Sequence, residues 1–225
     1  MDEGRQAAIA AADWAGTTLA EPQLARLDLL AQWLVDEAMP AGGLGPHEGG
    51  KVWRRHIADS LTFGVAFKGI DPPSEILDVG TGVGLPGIPL ALALPDTTVT
   101  LLDRGGRRIT LLHRIVGILE LTNVVIEQAD IHSVADDHWH AMTYRGAVSA
   151  PEAVGLTSKL LADDGTSVLG LSTRPDRPQR AEELIGVAQA LGLDAELREV
   201  PNEALDGGAW LLIMRRSGTD DAKDE

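Results

Sequence analysis

Residues Ile76 to Leu90 read ILDVGTGVGLPGIPL. An apolar run leads into Gly80, Gly82, Gly84 and Gly87, and a second apolar run follows. This is the signature of a buried strand, a tight turn and the start of a helix. Gly82, Gly84 and Gly87 fit the GxGxxG spacing, which points to a ligand at the carboxyl end of a parallel strand. Asp78 stands just ahead of the glycines. Its charge would repel a pyrophosphate, the group that a dinucleotide places at a helix N-terminus.

Downstream, strands and helices alternate. The pattern predicts strands over 75–79, 98–103, 124–128, 144–149, 166–171, 194–200 and 210–215. It predicts helices over 87–94, 107–121, 152–161 and 177–191. Such alternation builds a parallel sheet covered on both faces. The last two strands are joined by NEALDGG, with no room for a crossover helix, so they should pair antiparallel at the sheet edge. That ending marks the class I methyltransferase sheet. The predicted fold is therefore α/β, Rossmann-like and seven-stranded, with an antiparallel last strand.

Upstream, the chain is helical. Leu24, Leu27, Leu30, Leu34 and Ala38 recur at helical spacing, with Pro22 in the first turn and Pro40 at the end. Gln6–Ala15 and KVWRRHIADSL also read as helix. The expected organisation is a helical extension over 1–72, a methyltransferase core over 73–216 and an acidic tail over 217–225.

Composition narrows the function. The 225 residues carry a net charge of −15 and no cysteine. An acidic chain does not bind nucleic acid through its overall field, and any such contact needs a local basic patch. The absence of cysteine removes thiolate metal sites and thiol nucleophiles, and so disfavours methylation at carbon 5 of pyrimidines. No long uncharged apolar stretch and no secretory leader are present, so a cytoplasmic location without membrane contact is expected.

A phosphate-free nucleoside cofactor fits the glycine loop. S-adenosylmethionine carries an ammonium, a sulfonium and one carboxylate, and Asp78 suits its cationic end. Asp103, ending the second strand, is placed to accept from both ribose hydroxyls. Asp130, after the third, can accept from the adenine amine. The substrate surface is expected at Lys51, Trp53, Arg54, Arg55 and His56, extended by Arg104, Arg107 and Arg108, because cations beside an aromatic suit phosphates and bases. Tyr144 is expected to start the fourth strand, in the core or against the substrate. Asp136, Asp137, His138 and His140 lack a ligand spacing and read as a solvated loop, so no metal is expected.

Three stretches, WRRHIADSL, DVGTGVGLPGIPLALALPD and VTLLDRGGRRITLLHRIVGILELTNV, resemble the bacterial small-subunit rRNA methyltransferase G family (RsmG, formerly GidB). The resemblance implies methylation of N7 of a guanine in 16S rRNA of the small ribosomal subunit, with S-adenosylmethionine as donor. It also implies that Gly80 and Leu85 line the cofactor and that Ile131 and His132 flank its adenine. With these, the expected cofactor site comprises Asp78, Gly80, Thr81, Gly82, Gly84, Leu85, Asp103, Arg104, Asp130, Ile131, His132 and Ser149. No catalytic residue is expected, because N7 already offers a lone pair. The second half of the chain departs from the family. After the fourth strand the family has Ser-Arg-Ala, where Ser149-Ala150-Pro151 is expected here. After the fifth it has Lys-Gly, where Gly170-Leu171-Ser172-Thr173 stands. Near Asp130 the family carries an arginine, as in GRAEE. Two alternatives therefore stay open: a small-molecule acceptor, with His56 or His132 as base, and a cofactor-binding protein without turnover.

Overall fold

The computed structural model describes residues 3–134, 139–172, 178, 180–205 and 207–216. The cluster Asp136, Asp137 and His138 and the acidic tail lie outside the described residues. Seven strands form one sheet in the order β3-β2-β1-β4-β5-β7-β6. They are β1 (Glu75–Val79), β2 (Thr98–Leu102), β3 (Val124–Glu127), β4 (Trp139–Tyr144), β5 (Leu161–Ser172), β6 (Asp194–Val200) and β7 (Ala209–Arg215). The first five are parallel, while β7 runs antiparallel between β5 and β6. The strand order reverses between β1 and β4, where ligands bind in open α/β sheets. Among the described residues, no helix is long and apolar enough to cross a membrane.

Helices cover both faces: α4 (Gly87–Ala93), α5 (Gly106–Ile118), α6 (Ala150–Leu160) and α7 (Ala181–Ala190). In α5, Leu112 and Ile115 are buried while the intervening Arg114 faces outward to Glu37. The Asn123 amide donates to the carbonyls of Ala91, Leu94 and Thr97, closing the C-terminal end of α4.

The N-terminal helices are α1 (Glu3–Ala15) and α2 (Glu21–Trp33). A wider helical turn over Val52–Ala58 then runs into α3 (Asp59–Thr62). Ala8, Ala11, Ala12 and Ala15 are buried on α1, and their small side chains let the neighbouring backbones come close. Ala8, Ala11 and Ala15 share one continuous core with Leu27, Leu61, Ile76, Ile88 and Leu90. Gln23 adds a hydrogen bond to the Leu92 carbonyl at 2.8 Å.

The fourth strand corrects the sequence reading. It ends at Tyr144 rather than starting there. Met142, Thr143 and Tyr144 pair with Leu77, Asp78 and Val79 of β1. The Thr143 hydroxyl is satisfied inside the sheet by the Asp78 carboxylate at 3.0 Å. Tyr144 is fully buried, within 3.4 Å of the Thr157 hydroxyl, so it is a core residue and not a substrate contact. Burial pushes its phenol pKa up.

Candidate functional site: a cleft at the carboxyl ends of β1, β2 and β4

A cleft of about 610 Å³ opens over the glycine loop, within the usual range for small-molecule sites. One wall is Val79 to Val83 with Leu85, and a second is Asp103 with Arg104 and Arg108. Ala129 to His132 close one end, and Arg145 to Val148 with Glu152 close another. Gly43 and Leu44 reach it from the N-terminal loop.

Gly80 has φ +62°, and a Cβ there would lie 2.5 Å from that of Ala147. Only glycine lets the loop pass the chain leaving β4. At Gly87 a Cβ would meet Leu101 at 2.2 Å, so α4 can start only against β2 with glycine in that place.

Asp78 lies behind the loop and not in the cleft. It is completely buried. Its Oδ2 accepts from the Thr81 hydroxyl at 2.5 Å and the Gly87 N–H at 2.9 Å, while Oδ1 accepts from Thr143. The expected contact with the cationic end of a cofactor is thereby corrected: the carboxylate holds the loop's shape. Burial raises its pKa to about 6 despite these donors. A folded-state pKa above the unfolded one means that the native state binds the extra proton. Stability contributed by this group is therefore full below about pH 4 and falls as pH rises to about 6, by about 3 kcal/mol. Asp78→Asn cannot ionise and lacks this slope. Urea denaturation should show the variant gaining on the wild type by about 3 kcal/mol between pH 4 and pH 7; a constant difference would remove this account of Asp78.

The loop amides are turned inward. Thr81 N–H bonds the Leu102 carbonyl, Gly84 and Leu85 bond that of Thr81, and Ile88 bonds that of Gly84. Gly82 N–H reaches Asp103 Oδ2 at 3.1 Å. A pyrophosphate needs these donors free, so the loop does not suit a dinucleotide. The arginines on the cleft are paired as well: Arg108 with Asp103, Arg104 with Asp130 and Arg145 with Asp59. The donor set fits a nucleoside without phosphate. Asp103 is buried at the end of β2, its Oδ1 accepting from Gly105 N–H at 2.8 Å. Asp130 accepts from His132 N–H at 3.0 Å, which holds its carboxyl below the usual range. Ile131 and His132 follow in the wall, and His132 pairs with Glu152 at 3.1 Å.

Besides Asp78, two more expected cofactor residues do not line the cleft. Gly84 lies beneath the loop against Ile88 and Leu112. Ser149 sits at the N-cap of α6, and its neighbours Val148 and Glu152 reach the cleft instead.

The expected substrate group is split up. The Trp53 ring lies on Gly4 of α1, so it packs within the helical layer rather than offering a stacking face. Arg54 pairs with Glu3, while Lys51 and Arg55 lie within 4.0 Å of Glu48; all three remain exposed. His56 is held between Glu48 at 3.1 Å and Arg145 at 3.3 Å. Burial, and then the Arg145 charge, lower its pKa, so the ring is neutral near pH 7. Because Arg145 only donates, Nδ1 accepts and Nε2–H donates to Glu48.

Sequence reasoning missed Arg145. Its guanidinium donates to Asp59 Oδ2 at 2.8 Å and to the Arg55 carbonyl at 2.8 Å, and it lines the cleft. With β4 ending at Tyr144, the residues after the fourth strand are Arg145-Gly146-Ala147, not Ser149-Ala150-Pro151. A basic residue stands there after all. The available signal was the arginine three residues after Met142, hidden by the misplaced strand.

Comparisons with known proteins agree with this architecture. Residues 23–182 match the family described as rRNA small subunit methyltransferase G (GidB). A ribosomal RNA small subunit methyltransferase G of Mycobacterium marinum is 32% identical over 213 residues, 92% of this chain and 90% of the relative. That of Cronobacter sakazakii is 31% identical over 92% of this chain and 96% of its own length. Among solved structures, the [4+2]-cyclase SpnF superposes with a TM-score of 0.57 at 14% identity, covering 90% of this chain and 99% of that one. M. jannaschii TYW2 in complex with AdoMet gives 0.51 at 18% identity, covering 71% and 74%. At such identity these two show the fold alone, and a cyclase on this sheet illustrates that the fold does not choose the reaction. Sequence kinship supplies that choice: the chain belongs to the rRNA small subunit methyltransferase G family and is an S-adenosylmethionine-dependent methyltransferase of the class I fold.

Proposed function

We propose that the protein methylates N7 of a guanine in 16S rRNA, acting on the small ribosomal subunit in the cytoplasm. The observation that carries this reading is the cleft's chemistry, inward-turned loop amides beside two acidic positions, in a chain related over most of its length to rRNA methyltransferases.

Asp103 would hold the ribose hydroxyls, Asp130 the adenine amine, and Ile131 the adenine face, with Gly80 to Gly82 giving close backbone approach. The bound cofactor supplies an electrophilic methyl on a sulfonium. The chain's own task is to align the acceptor and exclude water. Guanine N7 needs no base. That suits a site whose nearby histidines are already engaged, His56 by Glu48 and Arg145, and His132 by Glu152. Lys51, Arg54, Arg55, Arg104 and Arg107 are the exposed cations proposed to meet RNA phosphates, with residues 1–72 serving as the extension that carries the first three.

Transfer from methyl-labelled cofactor to small subunits lacking the N7 mark tests the proposal. Label should be recovered as 7-methylguanosine. A small-molecule acceptor is favoured by the net charge of −15 and by Leu171-Ser172 standing at the end of β5. It becomes the preferred reading if cofactor binds and no label enters RNA.

A further inference from the structure

A second cavity, of about 310 Å³, adjoins the cleft, and Arg145 and Gly146 line both. Its other walls include Asp59, Phe63, Leu171 and Trp210. Asp59 and Phe63 are four residues apart at α3, hence on one helical face. Trp210 begins β7. Because β7 is antiparallel, its start lies beside the end of β5, opposite Ser172. The last strand thus delivers an aromatic residue to the sheet edge where β1 and β4 end.

We propose that this cavity receives the acceptor base, flipped out of the RNA, and that Asp59 reads it as guanine. The inference rests on the proposed guanine acceptor. Its volume suits one nucleobase with part of its sugar. Phe63, Leu171 and Trp210 supply apolar and aromatic surface for the ring faces, which offsets the unstacking cost of extrusion. Asp59 is almost fully buried. Arg145 fixes its carboxylate through Oδ2, and among the described residues Oδ1 accepts no hydrogen bond. A carboxylate accepts the N1–H and N2–H donors of guanine, whereas adenine presents an acceptor at N1. N7 lies on the opposite side of the purine and stays free. Its lone pair forms the new N–C bond as the C–S bond breaks. The bonding pair stays on sulfur, and the positive charge passes to the ring without proton transfer. An aromatic wall and a carboxylate both stabilise a cationic ring.

Two readouts test this. In ligand-observed NMR with S-adenosylhomocysteine present, guanosine 5′-monophosphate should show saturation transfer, inosine 5′-monophosphate less, and adenosine 5′-monophosphate none. Trp210→Ala should abolish the response and lower kcat/KM on unmethylated small subunits about 10- to 100-fold, the range of one lost stacking contact. Trp210→Phe should recover most of it. Asp59→Asn should erase the preference for guanosine over inosine, which general loosening of the site would not do. Affinity for S-adenosylhomocysteine should hold within about twofold in all three variants, because none touches the cofactor cleft's nucleoside end. Wild-type behaviour of Trp210→Ala and Asp59→Asn in both readouts overturns the pocket. A guanosine response without label in RNA supports the pocket and overturns the rRNA acceptor instead.

Discussion

Asp103→Asn should weaken S-adenosylhomocysteine binding about 100-fold, with a smaller loss of folding stability of about 1–3 kcal/mol. A carboxylate accepting from two ribose hydroxyls makes two charge-assisted hydrogen bonds, each worth about 1.5–3 kcal/mol. The asparagine carbonyl keeps one of them and the amide cannot accept the other, so about 3 kcal/mol is lost, or roughly two orders of magnitude in Kd. Folding is less affected. The remaining oxygen can still accept from Gly82 or Gly105, the other N–H loses its acceptor at a cost of about 1–3 kcal/mol, and Arg108, 57% exposed, loses a pair of little weight. Calorimetry decides the matter: a Kd within about threefold of wild type removes Asp103 from the cofactor site. Asp130→Asn should act in the same direction and more weakly, because that carboxylate is 41% exposed.

The second large effect falls on folding. Arg145→Ala should destabilise the protein by about 3 kcal/mol, measured by urea denaturation at pH 7. The Asp59 side chain is only 7% exposed, and removing its cation leaves a buried charge without its partner. The Arg55 carbonyl and His56 Nδ1 lose their donor at the same time. Arg145 joins the chain after β4 to the helical layer that carries Asp59, so the loss is felt between these two parts. Adding Asp59→Asn to Arg145→Ala should recover part of the stability, because the charge left stranded is then gone. The His56 pKa should rise in Arg145→Ala, since a nearby positive charge is removed. A loss below about 1 kcal/mol would mean that Arg145 does not brace the two parts.

Much of this molecule was legible along the chain. The glycine loop after ILDV, the alternation of strands and helices and the short link before β7 determined the sheet and its antiparallel ending. These signals are local: periodicity, turn residues and loop length report on backbone geometry within a few residues. Asp103 and Asp130 were visible for the same reason, since the end of a predicted strand is a defined place in this fold.

Tertiary structure decided where polar side chains point. Asp78, Thr81 and Thr143 satisfy one another inside, a fact set by the pairing of β1 with β4 across 65 residues of chain. Hydropathy scores such residues as exposed, and the strand expected over 144–149 lies five residues earlier, with Tyr144 as its last residue and Arg145 just beyond it. Trp53 and His56 looked like a substrate surface until α1 covered one and Glu48 and Arg145 held the other. Trp210 carried no sign of a site, because its position beside the end of β5 follows from strand direction in the assembled sheet. Sequence by itself determined the scaffold and put Asp103 and Asp130 at the strand ends that wall the cleft. Only the packed structure decided which charges are buried in pairs and which side chains line the two cavities, since burial and hydrogen-bond satisfaction depend on residues far apart in the chain.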